Sequence, residues 1–133
     1  MRLLLDTCAF LWLIGFPERL PDAVRDCVED VENDCLVSVA TIWECLIKRG
    51  KGRLGLRTGE RTALDFLLWQ CQNHELGVLP IRASALRPLE RLPALHNDPF
   101  DRLLICQAVD EGMAIVTPDM AIRRYPVKTI WDD

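Results

Sequence analysis

Met1-Arg2-Leu3-Leu4-Leu5-Asp6-Thr7 opens the chain with three consecutive leucines and ends the run on a carboxylate. A strand with one wet face alternates polar and apolar residues, so an unbroken apolar run belongs to a strand covered on both sides. Residues 2 to 5 therefore read as a central strand feeding a turn and helix, with Asp6 at its carboxyl end. Further along, Cys35 to Val37, Val78 to Pro80, Ala114 to Thr117 and Lys128 to Trp131 read as strands. Helical patterns separate them over 21–32, 39–49, 60–73, 82–89 and 99–111. Pro21 and Pro99 suit first helical turns, Ser38 an N-cap, and Gly50 and Gly112 helix ends. Strands alternating with helices predict an α/β fold: a mostly parallel central sheet with helices on both faces, because parallel neighbours need crossover helices. No repeat or interdomain linker interrupts the 133 residues, so one domain spanning 1–133 is expected.

Composition narrows the class. Half of the residues are hydrophobic and 27% are charged, and no apolar run approaches the roughly 20 residues that span a bilayer. The basic N-terminal segment is interrupted too early for a secretory signal, so a soluble cytoplasmic protein with no membrane attachment is expected. The six cysteines include no Cys-x-x-Cys pair and read as small buried thiols of a reducing compartment. The net charge of −4 argues against a protein that coats nucleic acid through bulk positive charge. Between residues 48 and 61, however, six basic residues face the single acid Glu60.

Sheets of this kind place their sites at the carboxyl ends of the strands, where Asp6 and Asp119 fall. Glu44 flanks a stripe of Val39, Ile42, Trp43, Leu46 and Ile47 on its helix, and Asp101 shares a face with Leu104, Ile105 and Ala108. Each acid has a simpler reading. Asp6, Asp98 and Asp119 suit helix caps, Asp101 a first-turn acid, and Glu44 an exposed pair with Lys48. Taken together, acids converging on one edge repel unless a cation neutralises them, and an all-oxygen set suits magnesium or manganese. Tryptophans 12, 43, 69 and 131 read first as core.

The stretches LLLDTCAFLW (3–12), SVATIWECLIKRGKGRLGL (38–56), HNDPFDRLLICQA (96–108) and VTPDMAIRRYPVKTIW (116–131) resemble PIN-domain nucleases, specifically VapC-like toxins of toxin–antitoxin pairs. The resemblance runs nearly end to end. It implies an endoribonuclease using Mg2+, with Mn2+ as an alternative, held by Asp6, Glu44, Asp101 and Asp119. Thr117 matches a position where the family often has a hydroxyl, and Asp98 competes with Asp101 for the ligand role. It further implies that Lys48, Arg49, Lys51 and Arg53 grip RNA. Phe10, Leu11, Trp12 and Ile42 would line a groove for a VapB-like antitoxin, and the nuclease would be a homodimer. Two rivals remain. A magnesium phosphatase built on Asp6 would want a second aspartate at position 8, where Cys8 stands. A silent PIN-like binding module would be favoured by a missing site acid.

Overall fold

A computed structural model describes residues 1–132. Its sheet has five strands, β1 (Arg2–Leu5), β2 (Asp34–Ser38), β3 (Gly77–Leu79), β4 (Ala114–Val116) and β5 (Thr129–Ile130), all parallel in the order β3-β2-β1-β4-β5. The leucine run of β1 is the middle strand. Leu3 and Leu5 join one apolar layer and Leu4 the other, which is why the run cannot alternate with polar residues. The first layer is closed by α1 (Thr7–Gly15), α2 (Asp22–Glu29), α3 (Val39–Gly50) and α4 (Ala63–Asn73). The second is closed by α5 (Pro99–Glu111) and α6 (Met120–Arg123).

Local chemistry sets the element ends. Ser38 caps α3 by accepting from the Ala40 amide at 3.0 Å, and Gly112 ends α5 at φ 66°, a left-handed value that glycine takes without strain. Thr62 accepts from the Asp65 amide at 3.1 Å, so α4 starts at Ala63 rather than near residue 60. The 82–89 segment is a 3-10 helix over Ala83–Glu90, because Pro88 within it has no amide to donate.

Two packing expectations, the α3 stripe and the tryptophans as core, are corrected, and exposure elsewhere follows where helices end and which face meets the sheet. Val31 lies beyond α2 and is 90% exposed, since the helix ends at Glu29. The stripe on α3 is rotated: Val39 and Trp43 face solvent, while Ala40, Thr41, Glu44 and Cys45 are buried with Ile42. On α4, Leu67 and Cys71 are buried but Leu64 and Leu68 are exposed. None of the four tryptophans is fully buried: Trp12 and Trp131 meet at 5.9 Å, Trp43 takes the edge of Phe100 at 5.0 Å, and Trp69 lies beneath the Arg61 guanidinium at 4.0 Å. All six cysteines are free thiols, four buried and Cys8 and Cys27 half-buried.

A buried polar link ties the sheet to α5. The Ser38 hydroxyl donates to Gln107 Oε1 at 2.5 Å, and Gln107 Nε2 donates to the Pro80 carbonyl at 3.2 Å. Gln107→Leu leaves the buried Ser38 hydroxyl without its acceptor and frees the Pro80 carbonyl, and is expected to destabilise by about 1–2 kcal/mol, read from urea midpoints.

Candidate metal centre

In the order β3-β2-β1-β4-β5 the chain reverses direction of travel between β1 and β4, so the carboxyl ends of these two strands border a crevice. Asp6 follows β1 directly and caps α1, with Oδ1 accepting from the Ala9 amide at 2.8 Å. Its Oδ2 accepts from the Thr117 hydroxyl at 2.5 Å, just past β4, and Thr117 Oγ1 accepts in turn from the Asp119 amide at 3.0 Å. Asp119 caps α6 by accepting from the Ala121 amide. The cap readings of Asp6 and Asp119 are thus true of the structure, yet both residues also line one cleft. That cleft, about 450 Å³, is bordered by Asp6, Glu44, Asp98, Asp101 and Asp119, with Lys48 at its edge.

Glu44 reaches the cleft from α3 and is only 6% exposed, so the expected surface pair with Lys48 is corrected to an ion pair with a buried acid. Its Oε1 accepts from the Thr7 hydroxyl at 2.5 Å, and its Oε2 meets Lys48 Nζ at 2.9 Å. Asp98 caps α5, accepting from the amides of Phe100 and Asp101. Asp101 pairs through Oδ2 with His96 Nε2 at 2.8 Å. His96, Asp98 and Asp101 bring ligand atoms within 4.8 Å of one another, close enough for one ion.

Sequence reasoning missed Thr7 and His96. Thr7 had a signal, a hydroxyl adjoining the first acid; the reach of His96 to Asp101 depends on how the loop before α5 turns.

Crowding is visible in the acids' proton affinities. Burial pushes Asp6 up to about 7, with Asp101 and Asp119 adding repulsion, while the bonds from Thr117 and Ala9 pull it down. Burial likewise raises Asp101 to about 6, aided by the charges of Asp98, Glu44 and Asp119 and opposed by His96. Burial also pushes the Cys8 thiol up to about 11, leaving it neutral in the physiological range.

The PIN domain pattern matches residues 3–128 of the sequence. The chain belongs to the PIN domain family. No curated protein matches it in sequence. Among solved structures the PIN domain is similar to VapBC2 from Rickettsia felis bound to a promoter DNA fragment, at TM-score 0.65 and 16% identity over 99% of this chain and all of that one. It is also similar to DNA-bound VapBC from Salmonella typhimurium, at 0.64 and 17% over 98% and 97%. VapBC-1 from nontypeable Haemophilus influenzae aligns at 0.61 and 16%, again over 98% and 97%. At these identities the likeness is one of fold.

Other expected site residues distribute unevenly. Lys51 and Arg53 line a shallow groove that shares Glu44, Lys48 and Asp98 with the acidic cleft, whereas Arg49 is exposed but borders neither. Phe10 and Ile42 are corrected: both are buried in the core against the sheet and present no surface to a partner. Leu11 and Trp12 remain partly exposed, and Leu11 alone borders both the acidic cleft and an apolar groove with Ile14, Phe16, Leu54, Leu56 and Phe66.

Two outcomes follow for the metal-free PIN domain. Unfolded aspartate ionises near 4, so as pH rises from about 4 to 7 the unfolded chain loses protons that folded Asp6 and Asp101 retain. Stability contributed by these groups falls across that window and stays low above it. Thermal melts should therefore be lower at pH 8 than at pH 5.5, with Asp6→Asn flattening the difference. At pH 8 without metal, Asp101→Asn should melt above wild type; a lower value would mean that its bond to His96 outweighs the repulsion.

Proposed function

We propose that this PIN domain, as a single nuclease unit over residues 1–133, is a metal-dependent endoribonuclease and the toxin of a toxin–antitoxin pair. The observation that carries the reading is the convergence of five carboxylates from four separate segments on one cleft, two of them held at raised proton affinity. Such an arrangement costs folding stability, and a divalent cation relieves it. The carboxylates that line the cleft would suit a hard ion, Mg2+ or Mn2+, with Asp98 and Asp101 already within one ion's reach of each other and Asp6, Glu44 and Asp119 facing them across the cleft. When bound, the ion would lower the pKa of a coordinated water below its bulk value, orient it for attack, and supply positive charge that offsets the phosphorane-like transition state.

The chain's own residues do the rest. Thr117 and the Ala9 amide fix both oxygens of Asp6, so it cannot turn away from the cleft. Thr7 fixes one oxygen of Glu44, and His96 holds Asp101. In-line attack by water needs no 2′-hydroxyl as nucleophile, so preference for RNA rests on shape and contacts. Lys51 and Arg53, on the groove that continues from the cleft, suit the RNA backbone, with exposed Arg49 beside them and Lys48 at the junction.

The reading includes a VapB-like antitoxin whose tail covers the cleft through Leu11, Trp12 and the adjoining apolar groove. It includes a homodimer as well, for which the exposed Val39 and Trp43 offer apolar surface. No helix among the described residues is long and apolar enough to cross a membrane.

The decisive experiment is incubation of purified protein with a mixed pool of structured RNAs in Mg2+, beside EDTA and Asp6→Asn controls. Discrete fragments requiring both the ion and Asp6 are expected, with loss of at least about a hundredfold in rate for Asp6→Asn. No cleavage by folded, partner-free protein would overturn the reading in favour of a silent binding module.

A further inference from the structure

Lys48 is the one cation among the described residues that lines the acidic cleft. Its ammonium lies 2.9 Å from Glu44 Oε2, and the other oxygen of that carboxylate accepts from Thr7. Each Glu44 oxygen thus has one partner, a hydroxyl on one and a cation on the other. The lysine also borders the neighbouring groove with Lys51 and Arg53, so it stands where the acidic cleft passes into the basic surface. Its side chain is 43% exposed, leaving its four-carbon stem free to swing.

Resting on the nuclease reading, we propose that Lys48 is an exchange residue: it occupies Glu44 in place of the divalent ion and, once Glu44 is released to that ion, turns its ammonium to a phosphate of the RNA strand. Two positive charges brought to one carboxylate oxygen repel each other, so ion binding at Glu44 Oε2 and the Lys48 pair oppose one another. A freed ammonium beside Lys51 and Arg53 then extends a row of cations along the groove. Lys48 thereby couples the two binding events: the ion releases the lysine that the RNA needs, and by linkage RNA strengthens ion binding.

The test reads binding rather than turnover. Mn2+ is titrated by calorimetry into wild type, Lys48→Met, Glu44→Gln and the double variant; methionine keeps most of the stem and removes the charge. Lys48→Met is expected to tighten Mn2+ by about tenfold when Glu44 is present and by less than about twofold in the Glu44→Gln background. Equal tightening in both backgrounds would make Lys48 a remote charge and overturn the proposal, as would unchanged or weaker binding. In parallel, a single-stranded RNA oligonucleotide is followed by fluorescence anisotropy in Ca2+ and in EDTA. Lys48→Met should weaken RNA binding several-fold in Ca2+ and leave it unchanged in EDTA; a loss in both would mean a permanent phosphate contact and overturn the exchange. Lys48→Arg should restore the ion-dependent RNA affinity. Failure of wild type to bind Mn2+ at all would instead sink the metal reading of the cleft, a result separable from either outcome for Lys48.

Discussion

The carboxyl group of Asp6, placed where a strand buried on both faces ends, is the constraint on which the arrangement depends. Leu3, Leu4 and Leu5 put the strand at the middle of two apolar layers, so the next residue emerges with little water around it. A carboxylate there is tolerated because the backbone of α1 and the Thr117 hydroxyl give it donors on both oxygens. Those same donors lock its direction, and the neighbouring acids then share a small space with it. Stability has been exchanged for pre-organisation: the acids are held close together with their directions fixed.

The fold was legible because its signals are local. An apolar triplet ended by an acid, prolines in first turns, a serine cap and glycine stops each act over a few residues, and together they yield the strand and helix order now seen. The acids were legible for a related reason: each sits at an element end or on a helix face that a period can place. Helix phase was harder. In α1, Thr7–Gly15 is apolar nearly all round, so periodicity cannot tell which residues meet the sheet. Phe10 lies fully in the core while Leu11 and Trp12 look outward, a choice made by packing. Ile42 and Trp43 were read together on one stripe, but α3 turns its small residues Ala40, Thr41 and Cys45 inward with Glu44, letting the helix approach closely enough for Thr7 to reach the carboxylate.

Contacts between distant segments were the least visible. Thr7 with Glu44, Ser38 with Gln107 and Thr117 with Asp6 span 37, 69 and 111 positions. No spacing rule links such pairs. They exist because parallel strands bring distant chain segments side by side, and they convert a set of helix caps into a cleft with fixed walls.

Because the cleft's acids lie at positions 6, 44, 98, 101 and 119, it has no precursor during synthesis. A nascent chain halted before β4 has Asp6 without its Thr117 partner and lacks the crevice wall that Asp119 provides. With acids drawn from positions as far apart as 6 and 119, the cleft is complete only once β4 and the turn after it have docked against β1, so its walls form together with the sheet rather than ahead of it.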